Sequence, residues 1–312
     1  LVLLEDSVTT SPQEQPAKMP QIKANVITFE VETIGNRENP AVLLVMGLGA
    51  QMTAWPEDFC KQLSERGYFV IRFDNRDVGL STWFDEAGEP NMNRTYLSSL
   101  FGRKIKSPYS LSDMADDAVG VLDSLEIDKA HLIGASMGGM IVQRFALNHP
   151  ERVASLCSIM STPRFIRPEY QLTMELMEPD SGTREGRIES GLKSARLIHG
   201  EKFPLPENLR ELVATSIDRA WNPAGTTRQL TAILADGDRR PELETLSIQA
   251  TVIHGTADRL VPLRGGKETA KAIKDCRLVE IEGMGHSMPE ETWEEIFQVF
   301  DDLVEKSKLD CN

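Results

Sequence analysis

The chain has 312 residues and a mass of 34.8 kDa, enough to bury a large core in one α/β domain that carries an insertion. A formal charge of −14 and a pI near 4.9 argue against nucleic-acid or anionic-membrane partners, which call for a basic face. No stretch approaches the roughly 18 consecutive apolar residues of a membrane span.

Leu1 stands where methionine would open a primary product, so trimming of the start is expected. The N-terminus shows no charged region followed by an apolar core, and a cytoplasmic location is the expectation. Residues 1–20, rich in Ser, Thr, Gln and Pro from residue 6, are expected to form a flexible leader. Strand and helix patterns then alternate to the end of the chain. That alternation predicts a mainly parallel central sheet flanked by helices. Ala41 to Val45 reads as an early strand, followed by the glycine-rich turn Met46-Gly47-Leu48-Gly49, where backbone N–H groups can face a site.

Ala130 to Ile133 reads as a short buried strand, and Met140 to Asn148 places Met140, Ile141, Phe145 and Leu147 on one helical face. Between them lies Gly134-Ala135-Ser136-Met137-Gly138, a G-x-S-x-G turn on a strand-turn-helix. Only small residues fit two before and two after such a turn, and the hydroxyl of Ser136 is pushed out above the sheet edge. The N–H of Met137, just past the serine, is one candidate donor to developing negative charge, and that of Leu48 is the other. After the strand Val153 to Met160 come roughly ninety residues, far more than a crossover needs. They hold helical stretches at Asn208 to Trp221 and Thr226 to Ala235, broken by Pro163, Pro168, Pro204, Pro206 and Pro223. The expected organisation is an α/β core at 21–161 and 247–312 with a helical cap at 162–246. Trp221, Leu230 and Ile233 are candidate pocket-lining residues, with packing between helices as the alternative. Met52 and Met160, with Met137, are candidates for adaptable apolar surface near the serine.

A serine nucleophile needs a base, and the chain has five histidines. His131 lies inside a strand, His149 closes a helix before Pro150, His254 ends the strand Ala250 to Ile253, and His199 falls in a polar, glycine-bounded stretch. His286 remains, in a loop after the strand Leu278 to Ile281. The base in turn needs an acid that holds its other nitrogen and stabilises its cation. Asp258 follows the penultimate strand and precedes a helix beginning near Gly265; alone it would pass for a turn residue. The order Ser136, Asp258, His286 differs from both common serine-protease orders. Cys60, Cys157, Cys276 and Cys311 show no C-x-x-C spacing, and Cys157, in an apolar strand, is expected to be a reduced core residue. Neither a metal site nor a cofactor is expected.

Five motifs in order, Leu43 to Gly49, Phe73-Asp74-Asn75-Arg76-Asp77-Val78-Gly79-Leu80-Ser81, the Ser136 turn, Val252 to Asp258 and Gly285-His286, make the sequence resemble the α/β-hydrolase superfamily from about Asn25 to Leu303. Met46, where a histidine is usual, and Asp77, where a glycine is usual, are similar to the aclacinomycin-methylesterase type. The resemblance implies an α/β-hydrolase fold in which Ser136 is nucleophile, His286 base, Asp258 its partner, and Leu48 and Met137 the oxyanion donors. Asp74 and Arg76 would then brace the loop beside the serine, or form a solvated charge pair.

The expected activity is hydrolysis of a small to medium apolar carboxylic ester through an acyl-enzyme. Serine in place of aspartate at the turn weighs against epoxide hydrolase or dehalogenase chemistry. Proline iminopeptidase, lactonase and carbon–carbon bond hydrolase share the same residues, and a hydrolase-fold binding protein with little turnover is the alternative from another class.

Overall fold

Strands rich in Val, Ile, Leu and Phe, buried along their whole length, need both faces of a sheet covered. The computed structural model describes residues 21–101 and 103–309, so the leader expected at 1–20 and Cys311 lie outside the described residues. Eight strands form one sheet: β1 (Gln21–Ala24), β2 (Ile27–Ile34), β3 (Ala41–Val45), β4 (Phe69–Phe73), β5 (Ala130–Ala135), β6 (Val153–Ile159), β7 (Ala250–Gly255) and β8 (Arg277–Ile281). Their order is β1-β2-β4-β3-β5-β6-β7-β8. β1 with β2 and β2 with β4 pair antiparallel, and the other neighbours run parallel.

The helices are α1 (Glu57–Glu65), α2 (Met92–Leu100), α3 (Leu111–Ser124), α4 (Met137–Asn148), α5 (Tyr170–Leu176), α6 (Arg184–His199), α7 (Leu209–Arg219), α8 (Pro223–Asp236), α9 (Arg240–Leu243), α10 (Arg264–Ala272) and α11 (Trp293–Leu309). Along β3 the period of two divides the core: Ala41, Leu43 and Val45 enter one apolar cluster, Val42 and Leu44 the other. The first cluster takes in Leu111, Ala118 and Leu122 of α3 and Ile141 and Phe145 of α4. The second is anchored by Trp55, by Phe59 of α1 and by Trp293, Phe297 and Phe300 of α11. There Phe59 stacks on Trp55 at 5.6 Å between ring centres and meets Phe297 at 4.7 Å. Each buried ring contributes about 1.5–3 kcal/mol relative to exposure, so α1 and α11 are held firmly against this face of the sheet.

Two elements run further than hydrophobic periodicity alone indicates. β5 continues through Gly134 and Ala135, and α4 begins at Met137 rather than Met140. Small residues carry no apolar signal, so the pattern fades two or three residues before the backbone changes. Five helices, α5 to α9, lie between β6 and β7. Their boundaries follow local chemistry: Thr183 caps α6 and Asn222 caps α8, each side chain accepting a backbone N–H three residues on, and Pro223 opens α8. Among the described residues, no helix is long and apolar enough to cross a membrane.

Candidate active site

The three strands β5, β7 and β8 deliver one polar side chain each at their C-terminal ends. Ser136 sits between β5 and α4 with φ +56° and ψ −120°, a conformation that costs a non-glycine residue about 1–3 kcal/mol and persists only where its surroundings enforce it. The enforcement is visible on both sides. A Cβ at Gly134 would lie 2.3 Å from the Gly138 carbonyl oxygen, and one at Gly138 would lie 1.9 Å from that of Val45. The spacing of the two glycines is therefore dictated by the closeness of β3, β5 and α4. Ser136 N donates to Ile159 O (2.9 Å), and the Ser161 hydroxyl donates to Ser136 O (2.7 Å).

His286 Nε2 lies 2.9 Å from Ser136 Oγ, and its Nδ1 lies 2.7 Å from Asp258 Oδ2. The other carboxylate oxygen of Asp258 accepts the N–H groups of Leu260 (3.0 Å) and Val261 (2.8 Å), which fixes the carboxylate plane. The loops after β7 and β8 are tied together: Ala257 N donates to Met284 O (3.0 Å), and Gly283 N to the Thr256 hydroxyl (2.9 Å). A second imidazole, that of His254, stands nearby with Nε2 2.8 Å from Val261 O and 3.6 Å from Asp258 Oδ2. Val261 O can only accept, so Nε2 carries the proton. Among the described residues its Nδ1 has no partner. Burial holds His254 below the usual imidazole range, against the pull of the Val261 carbonyl and Asp258. That leaves His286 as the imidazole aligned between Ser136 and Asp258.

Met137 is the first residue of α4, where backbone N–H groups have no intrahelical acceptor and the helix dipole is positive. The turn bearing Leu48 comes close to it: a Cβ at Gly47 would lie 3.0 Å from Ser136 Cβ and 3.5 Å from its Oγ. Side chains remote in sequence hold that turn. Gln229 of α8 accepts from Gly49 N (2.8 Å) and donates to Arg76 O (2.8 Å), while Asn75 donates to Met46 O (3.0 Å). Asp74 is buried, accepting from Met52 N (2.7 Å) and Leu80 N (2.9 Å) and pairing with Arg219 (2.7 Å). Arg76 makes a two-pronged contact with Asp117 at 2.6 and 2.8 Å. Asp77, with φ +68°, meets Arg228 of α8 at 2.6 and 2.8 Å and accepts from the Tyr109 hydroxyl (2.7 Å). Burial opposes ionisation of Asp77, but Arg228, the Phe84 N–H and Tyr109 outweigh it and hold the carboxyl below its usual range.

The apolar candidates fall in different places. Met52 is fully buried. Met160 packs in the α1/α11 core cluster, Ile233 lies in the opposite one, and Leu230 rests against that same cluster. Trp221, half exposed, lines a cavity of about 240 Å³ with Gly49, Gln51, Ile217, Asn222 and Thr226. The arrangement therefore meets two requirements of acyl transfer: a hydroxyl in contact with an imidazole, and an imidazole held by a carboxylate. Gln229, Gln51 and His199 lie outside the five motifs, and Asn75, inside the second, is given no role there. The sequence signal for Gln229 is a polar residue inside an apolar helical stripe, between Gly225 and Ile233.

A mainly parallel sheet of this order, with its polar residues just beyond the C-terminal ends of β5, β7 and β8, defines an α/β protein with its site at the strand ends. The family model described as alpha/beta hydrolase fold matches residues 40–292, and the chain belongs to that family. Rhodomycin D methylesterase DauP of Streptomyces sp. (strain C5) is 28% identical over 300 residues, which cover 88% of this chain and 93% of that one. The 3-oxoadipate enol-lactonase 2 of Acinetobacter baylyi is 26% identical, covering 84% of this chain and 87% of that one. Among solved structures, the esterase EaEST from Exiguobacterium antarcticum shares the fold with a TM-score of 0.70 at 23% identity, covering 92% of this chain and 99% of that chain.

Proposed function

We propose that the protein is a serine hydrolase of carboxylic esters, with Ser136, His286 and Asp258 as its catalytic triad and a small to medium, largely apolar ester as substrate. The observation that carries this reading is the continuous contact from Asp258 Oδ2 through His286 to Ser136 Oγ, at 2.7 and 2.9 Å. In the reaction, Ser136 Oγ attacks the ester carbonyl carbon as its proton passes to His286 Nε2. Asp258 stabilises the resulting imidazolium, and the N–H groups of Leu48 and Met137 hold the oxyanion. Collapse breaks the bond to the alkoxy oxygen, which takes the proton from His286 and leaves as the alcohol. Water, giving a proton to the same nitrogen, then attacks the acyl-enzyme and restores the serine.

The helices between β6 and β7, within 162–246, serve as a cap in this reading. The cavity at Trp221 and Thr226 reaches Gly49, one residue past Leu48. Methyl esters are the first class to try, because DauP and its relative from Streptomyces peucetius are named methylesterases. The decisive test is covalent labelling with a fluorophosphonate followed by peptide mapping, run beside a panel of methyl esters, p-nitrophenyl esters, lactones and prolyl amides. Label on Ser136 with turnover of esters is expected. Active protein that takes no label at Ser136 would remove the reading.

A further inference from the structure

The loop that carries His286 does not stand free above the sheet; it caps the C-terminal end of α6. The last carbonyls of a helix lack intrahelical donors. Here Ile198 O accepts from His286 N at 2.6 Å and His199 O accepts from Gly285 N at 3.1 Å. Side chains double the connection. His199, buried at the end of α6, places Nε2 2.9 Å from Pro204 O and Nδ1 2.9 Å from the hydroxyl of Ser287, the residue after the base. Pro204 O can only accept, so Nε2 donates and Nδ1 is left to accept from Ser287. Lys202 Nζ donates to Glu282 O (2.9 Å). The fit leaves no room for a side chain at Gly285, where a Cβ would stand 2.3 Å from Ile198 O.

We propose that His199 and Ser287 are positioning residues that latch the loop bearing the base to the end of α6, so that His286 is in register with Ser136 only while this part of the insertion is seated. The inference rests on the triad assignment above. It follows from the direction of the contacts. Both main-chain bonds to α6 come from Gly285 and His286 themselves, so a shift of α6 must either drag the imidazole or leave two helix carbonyls and two loop N–H groups without partners. A displacement of 1 Å at a reacting group can cost on the order of 100-fold in rate. The His199–Ser287 bond resists that shift at the point closest to the base.

Substitutions at the two ends of the bond test it. His199→Gln places its amide where Nε2 was and removes the ring acceptor for Ser287, leaving that hydroxyl only the more distant His199 O at 3.3 Å, whereas His199→Asn keeps an acceptor at the Nδ1 position. With p-nitrophenyl butyrate, His199→Gln and Ser287→Ala are expected to lower kcat about ten-fold with KM unchanged, and to slow fluorophosphonate labelling of Ser136 by the same factor. His199→Asn should recover most of that loss. The double variant His199→Gln/Ser287→Ala should be no worse than Ser287→Ala alone, because both single variants remove the bond between the two side chains and Ser287→Ala already removes the hydroxyl's contact with His199 O. Unchanged kcat in the single variants, losses that multiply in the double, or a His199→Asn variant as slow as His199→Gln would overturn the latch. If His199→Gln lowers the melting temperature, Ser287→Ala, at a half-buried hydroxyl, carries the comparison. Failure of the wild-type protein to label at Ser136 would instead overturn the triad, and is read before any latch variant is made.

Discussion

The site has two halves built by different means. The half on the sheet, Ser136, Asp258 and His286 at the ends of β5, β7 and β8, is placed by hydrogen-bonded strands and by glycines where backbones touch. The half on the insertion, Gln229 and Arg228 of α8, Arg219 of α7 and His199 of α6, reaches the same loops through long polar side chains. Arg228 is almost completely buried and bonds Asp77 across 151 positions of sequence, and Gln229 bonds Gly49 across 180. The sheet half is set by main-chain sterics, the insertion half by charge and amide pairing. Losses on the first side should therefore appear mainly in chemistry, and losses on the second mainly in stability and in how the turn at Leu48 and the loop bearing His286 are held.

The sharpest way to break that contrast is Asp258→Asn. The carboxylate is anchored by two N–H groups besides His286, and an amide fits the same space while removing the charge that stabilises the imidazolium. A drop in kcat of about 10⁴-fold is expected from a comparable substitution in another serine hydrolase, with little change in melting temperature. A variant that keeps more than a tenth of wild-type kcat on p-nitrophenyl butyrate would place the base elsewhere. On the insertion side, Arg228→Met leaves Asp77 buried without its partner. Breaking a buried pair from one end costs about 3–5 kcal/mol, so the urea midpoint should fall steeply while surviving folded protein still labels at Ser136. An unaltered midpoint would mean that Asp77 and Arg228 do not hold α8 to the core.

The halves also differ in how much of them the sequence makes legible. Ser136 can be found because its two glycines are fixed by contacts within a few residues and one neighbouring strand; the constraint is written locally. Asp258 and His286 follow from their place after successive strands, since strand order and chain direction are themselves periodic signals. His199 and Gln229 carry no such mark. A histidine before Gly200 or a glutamine in α8 acquires its role only when a loop 88 or 180 residues away is brought against it. Asp77 lies between these cases: its departure from the usual glycine is visible in the motif, but its positive φ and its pairing with Arg228 are tertiary facts. The apolar candidates show the same limit, because hydrophobic residues at helical spacing look alike whether they face a core, as Ile233 does, or a cavity, as Trp221 does.

Gln229→Leu tests the finer part of the insertion half. It strips a partner from Gly49 N and from Arg76 O, both beside the turn. Leaving a buried polar group unpaired costs about 1–3 kcal/mol, and loosening an oxyanion donor lowers kcat rather than raising KM. A kcat fall of about ten-fold is the expected outcome, measured with the same ester at saturating concentration. A change confined to KM would assign Gln229 to the ester pocket and not to the turn.

The last effect belongs to the sheet half and is invisible at neutral pH. His131 of β5 is buried between Tyr68 and Phe300, with Nδ1 2.8 Å from the Ser155 hydroxyl. Burial first, and the nearby Lys308 charge second, pull its pKa from 6.5 down to about 4. Between those two values the unfolded chain binds a proton that the folded chain refuses, so stability rises with pH across the window and is lost as pH falls from 6.5 towards 4. At 1.36 kcal/mol per unit the loss reaches at most about 3 kcal/mol. His131→Asn keeps a partner for Ser155 but does not titrate, and its smaller volume adds a penalty that does not depend on pH. The gap in urea midpoint between wild type and variant should therefore narrow from pH 7 to pH 4.5, while carboxylates titrating in the same range cancel from the difference. A gap that stays constant over that range would show that the ring takes up its proton inside the folded sheet at no cost, and would remove burial as the reason for its low pKa.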